Sequence, residues 1–323
     1  MTAGSQRGGT DPDAAGVSTF LGGVHDAPVT DIEPLSGGFW SSAFAYRCED
    51  RALVVRFGEV REGFESDLAA MAYDRTDLPV PAVFAIGDAF GGSYAISERR
   101  YGRFLETVRP DEADAAGPTI VRLLRALRSV PPANVERGNE LAWRDWLVAG
   151  LVDDPTQRVG GWRATLAEDP ELDRLFRACE VQVQRLAGAC PERRDLVHGD
   201  LLHANVLVDD DVHRVTAVFS WKCSVRGDFL FDAAWCTFWG AFHPGIAAAD
   251  VWTRVVRDVD ARDDIALLFD AAERHHCYEL QIGASHLGWY AWTGDATGLQ
   301  AAASHTAEVL ERGPLPMPRP PTA

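Results

Sequence analysis

His198-Gly199-Asp200-Leu201-Leu202-His203-Ala204-Asn205 lies inside Leu196–Val208, a run that reads apolar strand, polar loop, apolar strand. The loop sets a carboxylate and a carboxamide five positions apart, beside a His-Gly pair. Phosphoryl transfer from ATP uses such groups: a carboxylate orients and deprotonates an attacking hydroxyl, and an amide oxygen holds Mg²⁺. A Gly-Asp pair alone often marks only a turn. The framing by two apolar strands favours the chemical reading, with Asp200 as general base and Asn205 as Mg²⁺ ligand. His198 is then a brace for the loop and His203 an exposed neighbour.

Composition sets the outer limits. The 323 residues are 46% hydrophobic and 24% charged, ordinary for a soluble chain with a large core. No apolar run is long enough to span a bilayer, and the Gly-, Asp- and Ala-rich start does not read as a secretory signal. A cytoplasmic protein is expected, as monomer or homodimer. The six cysteines are scattered without a Cys-x-x-Cys pair, which argues for reduced, packed thiols rather than disulfides or zinc. His275-His276-Cys277 is expected on a helix surface, since adjacent helical residues point in different directions. A net charge of −17 disfavours nucleic acid as partner and suits a cationic small molecule.

The pattern along the chain changes once. Residues 1–27 read as a flexible segment. Ile32–Leu35, Ala43–Arg47 and Ala52–Phe57 read as strands, with Glu49-Asp50 between the last two. A helix is expected over Glu62–Asp74, where Phe64, Leu68 and Met71 recur at spacings of four and three. Val83–Ile86 and Ser93–Ser97 are strands around Gly91-Gly92. From Gly102 the pattern turns helical, with apolar stripes at Ile120–Leu127 and Leu172–Leu186. The expected division is an N-lobe at 28–100, a C-lobe at 101–312 and a Pro-rich disordered tail at 313–323.

Two further stretches belong with the loop. Ser36-Gly37-Gly38, followed by Ser41 and Ser42, offers backbone amides and hydroxyls to phosphates, although it is neither a P-loop nor a full Gly-x-Gly-x-x-Gly. Arg56, on the strand Leu53-Val54-Val55-Arg56-Phe57, stands where a kinase carries the lysine that clamps the α- and β-phosphates. Arginine supplies a permanent charge and a bidentate fork. Its helix partner is expected to be Asp67, with Glu65 as the alternative.

Taken together these pieces resemble the aminoglycoside phosphotransferase family, within the hygromycin B type. The resemblance rests on Leu53–Phe57, Gly63-Phe64, Leu78–Pro81 ahead of Ile86-Gly87, Tyr94–Ser97, Trp143-Arg144-Asp145, Cys190-Pro191-Glu192 through Val208, Thr216–Val218 with Trp221, and Gly227-Asp228. It covers roughly residues 30–240. It implies an α+β, bilobal protein kinase-like fold: a small antiparallel β N-lobe and a larger, mainly helical C-lobe. It also implies ATP or GTP and Mg²⁺ as cofactors, and a hydroxylated antibiotic or metabolite as acceptor, with no nucleic acid or membrane partner.

Several roles follow only from that resemblance. Ser97, Glu98 and Arg99 would form the hinge that meets the base. Asp228 would cap the next helix and bond the catalytic loop, with Asp232 in similar support. Family members carry Ile-Asp-Trp or Ile-Asp-Phe after the second strand of the loop hairpin, and that Asp binds Mg²⁺. This chain has Val218-Phe219-Ser220-Trp221, so Ser220 occupies the metal position as a neutral, weak ligand. The metal is then held by Asn205, phosphates and water, or a carboxylate such as Asp228 reaches in, or the protein only binds. The acceptor would meet aromatics of the C-terminal part, for which Trp235, Trp239, Tyr278 and Trp289 are the candidates. An O-phosphotransferase acting on an aminoglycoside or nucleoside antibiotic is the expected function. The alternatives are a non-catalytic binding protein and a small-metabolite kinase.

Overall fold

The chain is described by a computed structural model that covers residues 12–36, 38–131, 141–262 and 264–318. The first elements are α1 (Ala14–Val24), β1 (Val29–Leu35), β2 (Ser41–Cys48), β3 (Arg51–Gly58), α2 (Arg61–Ala70), β4 (Val83–Ala89), β5 (Gly92–Glu98) and β6 (Arg103–Phe104). Next come α3 (Ala113–Arg128), α4 (Trp143–Ala149), α5 (Trp162–Ala167), α6 (Pro170–Ala187) and β7 (Asp195–Val197). After these follow β8 (Val206–Val208), β9 (Val215–Val218) and β10 (Val225–Gly227). The chain closes with α7 (Leu230–Gly240), α8 (Pro244–Ala248), α9 (Val251–Asp260), α10 (Ala271–Thr293) and α11 (Ala296–Arg312).

Two compact units divide these elements. The sheet unit takes the described residues up to Thr107 and also Asp200–Ser224. The helical unit takes Val108–Gly199 and the chain from Val225 onward. The catalytic-looking loop and its hairpin therefore cluster with the sheet, whereas the sequence assigned them to the C-lobe.

In the sheet unit β1 to β5 form an antiparallel sheet in the order β1-β2-β3-β5-β4, and β6, β8 and β9 form a smaller one. Tight turns set the registers: Glu49 sits at φ 54° between β2 and β3, and Phe90-Gly91 at φ 53° and 77° between β4 and β5. Successive positive φ values give a hairpin turn whose twist matches that of the strands. Alternation along β3 sends Leu53, Val55 and Phe57 into the core and leaves Val54 and Arg56 for the opposite face.

The apolar layer of Phe44, Tyr46, Leu53, Val55, Phe57 and Ile96 is completed by Val17 and Leu21 from α1. This corrects the reading of residues 1–27 as flexible. Residues 14–24 are helical, the Asp13 carboxylate caps the first turn by accepting from the Gly16 amide at 2.8 Å, and Val17 and Leu21 are fully buried. Residues 1–11 lie outside the described residues.

The helical unit is organised around α10, which packs against α5, α6, α7 and α11. His275, His276 and Cys277 are on this helix as expected, but they are buried rather than on its surface. Their environment contains Glu279, whose Oε2 meets Arg312 Nη2 at 2.5 Å and His275 Nδ1 at 3.3 Å. Burial alone would push the Glu279 carboxyl up, but His275 and Arg312 outweigh it and hold it below its ordinary 4.5. A depressed carboxylate contributes stability above the unfolded value and loses it as pH falls through the folded one. Wild-type urea midpoints are therefore expected to drop steeply below about pH 4.5. Glu279→Gln should lower the midpoint at neutral pH and flatten that acid limb; an unchanged acid slope would show that Glu279 is not responsible.

The tail departs partly from expectation too: Trp252 Nε1 donates to the Pro316 carbonyl at 3.1 Å, which ties it to α9. Residues 319–323 lie outside the described residues. Among the described residues all six cysteines are free, and no helix is long and apolar enough to cross a membrane.

Candidate active site

Within the sheet unit a cavity of about 350 Å³ opens along the cavity face of β2 and β3, a size suited to a small ligand. Leu35, Ala43 and Val54 line it from the sheet, and Phe104, Leu207 and Val218 from β6, β8 and β9. These apolar walls suit a planar base. Ser97, Glu98 and Arg99 lie along one edge, continuing into Arg100, Tyr101 and Gly102. Gly102 has φ 147°, and a Cβ there would collide with the Val208 carbonyl, so the chain turns at this edge only with glycine. The hinge side chains are occupied elsewhere: Arg99 pairs with Glu33 at 2.6 Å and Arg100 with Glu98 at 2.9 Å.

The other end of the cavity is polar. Arg56 Nη2 and Asp67 Oδ2 are 2.5 Å apart, while Glu65 pairs with Arg61 at 3.2 Å, so Asp67 is the helix partner. The second oxygen of Asp67 accepts from the Trp221 amide at 2.8 Å. One buried carboxylate thus fixes both the phosphate-clamp candidate and the backbone just after Ser220. Ser36, Gly38 and Ser41 line the cavity. Ser42 does not: the next position on β2 faces away, and its hydroxyl is buried without a hydrogen bond. Gly37 lies outside the described residues.

The loop after β7 is shaped by strain and by the bonds that hold it. His203 and Ala204 both have φ 65°, a left-handed conformation that costs an L residue roughly 1–2 kcal/mol. Such strain persists only where the surroundings over-determine it. Glu106 Oε1 accepts from the Ala204 amide, the Asn205 carbonyl accepts from the Phe219 amide at 2.9 Å, and Asn205 Nδ2 donates to both Asp200 O and Asp200 Oδ2 at 2.8 Å. Asp200 Oδ1 meets His203 Nδ1 at 2.8 Å. Asp200 keeps 23% of its side chain exposed, open enough to meet an acceptor hydroxyl. With its nitrogen engaged by Asp200, Asn205 has Oδ1 left to offer a cation.

Ser220 lies on the cavity wall at φ 65°, ψ 57°. Asn205 Oδ1 and the Ser220 hydroxyl are neutral oxygens, so they fit Mg²⁺ as hard donors but supply no charge. Among the described residues no group of three or more His, Cys, Asp or Glu is placed to hold a metal.

In the helical unit one of the two aspartates after β10 departs from its expected role. Asp232, not Asp228, holds the start of the loop: its Oδ2 accepts from the His198 amide at 2.8 Å and its Oδ1 from the Gly199 amide at 2.9 Å. His198 is fully buried, in keeping with a brace. Asp228 is committed to Arg274, at 2.8 Å to Nε and 2.6 Å to Nη2, and to the Tyr278 hydroxyl at 2.7 Å. It caps α7 weakly through the Leu230 amide at 3.3 Å. Those bonds commit its carboxylate to partners within the helical unit. Burial, reinforced by Asp228, pushes the Tyr278 hydroxyl well up, so it stays a donor. Gly227 is required because a Cβ there would enter the Trp143 ring.

The acceptor candidates also need correcting. Tyr278 is 0% exposed, Trp235 6% and Trp239 4%, and the three pack with Phe231, Phe238 and His286. They are core residues. Trp289 is half-buried and packs against Trp292 with ring centres 5.3 Å apart and the planes tilted by 40°. The sequence missed three bonds at the site: His203 to Asp200, Glu106 to the Ala204 amide, and Asp67 to the Trp221 amide. Only the first had a local cue, the three-residue spacing.

A family model described as the phosphotransferase enzyme family matches residues 31–264. The hygromycin-B 4-O-kinase of Escherichia coli is 30% identical over 253 residues, spanning 75% of this chain and 70% of that protein. The crystal structure of aminoglycoside phosphotransferase APH(4)-Ia superposes with a TM-score of 0.79 at 24% identity, over 93% of this chain and 99% of the other. A thermostable mutant of it, in a ternary complex with AMP-PNP and hygromycin B, gives 0.76 at 24% identity over 91% and 98%. The GDP complex of aminoglycoside 2'-phosphotransferase-IIIa gives 0.65 at 13% identity over 93% and 99%. At these identities the solved structures establish the fold, α+β and protein kinase-like.

Proposed function

The chain belongs to the phosphotransferase enzyme family, and from that premise we propose that it transfers the terminal phosphoryl group of ATP to a hydroxyl of an aminocyclitol antibiotic of the hygromycin B kind. The observation that carries this reading is the sheet unit itself, in which one cavity wall bears Arg56 and Asp67 and another bears Asn205, five residues after Asp200. The 30% identity to a hygromycin-B 4-O-kinase supports the acceptor class. The net charge of −17 suits a cationic acceptor by long-range attraction. ATP as co-substrate and the lack of a long apolar helix among the described residues agree with a cytoplasmic site of action.

In the proposed reaction the base lies against the walls beside Ser97–Arg99 and the phosphates reach Arg56, which Asp67 holds in place. Asp200 accepts the acceptor's hydroxyl proton as that oxygen bonds to the γ-phosphorus and the bond to the bridging oxygen breaks, releasing ADP. Asn205 Oδ1, with the Ser220 hydroxyl as a weak neighbour, would hold Mg²⁺, which supplies charge neutralisation for the transfer. Arg56 supplies a permanent positive charge to the same oxygens and forms a bidentate fork that a lysine would not.

Incubating the protein with γ-³²P-ATP, Mg²⁺ and a panel of aminoglycosides that includes hygromycin B tests this reading. Labelled hygromycin B is the expected product. A second reading, a nucleotide-binding relative without turnover, has Ser220 in its favour. A thermal shift with ATP that is indifferent to Mg²⁺, with no labelled product from any acceptor, would establish that reading instead.

A further inference from the structure

Asp200 is held by more than the Asn205 amide. His203 Nδ1 lies 2.8 Å from Asp200 Oδ1 while Asn205 Nδ2 lies 2.8 Å from Oδ2. A carboxylate offers only acceptors, so the contact requires a hydrogen on Nδ1 of His203. The two donors grip opposite oxygens, which fixes the plane of the carboxyl group and its direction. The backbone is arranged for this contact: His203 reaches back only because it and Ala204 are both left-handed at φ 65°, and that strain is held by Glu106 on the Ala204 amide. His203 is itself 37% exposed, so the arrangement does not serve to bury the ring.

We infer that His203 is a positioning residue for phosphoryl transfer, which sets the orientation of the Asp200 carboxylate through an Nδ1–H···Oδ1 bond. The inference rests on the proposed phosphotransfer function. A general base acts within a narrow distance of the proton it takes, and a misplacement of about 1 Å can cost on the order of 10² in rate. A carboxylate held at one oxygen can still swing about its Cβ–Cγ bond; one held at both oxygens cannot. Nothing in this role requires His203 to touch nucleotide or acceptor.

The competing explanation is that histidine stands here because it tolerates a left-handed backbone. Two substitutions separate the explanations. Glycine adopts positive φ without strain, so His203→Gly satisfies the backbone and removes the donor. Asparagine also tolerates this conformation and carries a side-chain N–H close to the place of Nδ1. For a positioning residue, His203→Gly is expected to lower kcat by about tenfold or more, with the KM for ATP and the melting temperature little changed. His203→Asn is expected to recover most of that loss. A His203→Gly enzyme with wild-type kcat, or an Asn variant no better than the Gly one, overturns the inference.

A readout independent of turnover separates this inference from the functional reading. In long-range ¹H–¹⁵N spectra of histidine-labelled protein at mildly alkaline pH, the His203 ring, identified by its loss in His203→Asn, is expected in the Nδ1–H form. Asp200→Ala should convert it to the commoner Nε2–H form. An Nε2–H ring in the wild type sinks the positioning role whether or not the protein turns over. Failure to phosphorylate any acceptor, with the Nδ1–H ring present, counts against the functional reading alone.

Discussion

Asp200→Ala is expected to lower kcat for aminocyclitol phosphorylation by about 10³-fold, the middle of the range for loss of a general base. Nucleotide affinity and melting temperature should stay near wild type, for structural reasons. Asn205 Nδ2 also bonds the Asp200 backbone oxygen at 2.8 Å, and this bond survives the substitution. Asp232 still holds the His198 and Gly199 amides. His203 loses its bond to Asp200 at a partly exposed position. Steady-state kinetics with coupled ADP detection, alongside a nucleotide titration, make the test. A kcat within tenfold of wild type would remove Asp200 from the chemistry.

Ser220→Asp is expected to raise kcat by about 10², the inverse of what losing one charge-stabilising group in a transfer site costs. The backbone is ready for it. Ser220 is left-handed at φ 65°, ψ 57°, a conformation that Asp tolerates better than most residues, and the Trp221 amide on Asp67 Oδ1 holds the turn. A carboxylate placed there adds charge beside Asp67 and Asn205, so the gain should depend on Mg²⁺. Without Mg²⁺ the variant should melt at or below the wild-type temperature; with Mg²⁺ and ATP it should melt above. The experiment is a Mg²⁺ titration of kcat at saturating ATP. Equal rates for the two proteins at every Mg²⁺ concentration would mean that position 220 does not face the metal.

What the sequence made legible was mostly local. The strands from β1 to β5, helix α2 and the loop around Asp200 were readable because each carries its own period or turn residues: alternation in Leu53–Phe57, the Glu49-Asp50 and Gly91-Gly92 turns, the spacing of Phe64, Leu68 and Met71. Helix α1 was not. Its sequence, Ala-Ala-Gly-Val-Ser-Thr-Phe-Leu-Gly-Gly-Val, has weak helix propensity, and it is held by burying Val17 and Leu21 against a sheet core formed much later in the chain. Tertiary packing outweighed composition there.

The bonds that support the site were illegible for a related reason. Asp67 reaches the Trp221 amide across 154 positions and Arg274 reaches Asp228 across 46. No spacing rule links such pairs, so Asp228 and Asp232 were recognised as supports, but the loop bond expected of Asp228 falls to Asp232. The aromatics of α7 and α10 were misread because both helices are buried on nearly every side. A helix buried on nearly every side gives no stripe from which to tell a core face from a binding face.

The central claim is that the cavity of the sheet unit holds the nucleotide, with its terminal phosphate toward Asp200. A crystal structure of this protein with AMP-PNP and Mg²⁺ tests it most directly. The account predicts the adenine beside Ser97–Arg99, phosphate oxygens on Arg56, and the γ-phosphate facing the Asp200 carboxylate. A nucleotide bound elsewhere, or one in this cavity whose γ-phosphate points away from Asp200, would contradict it.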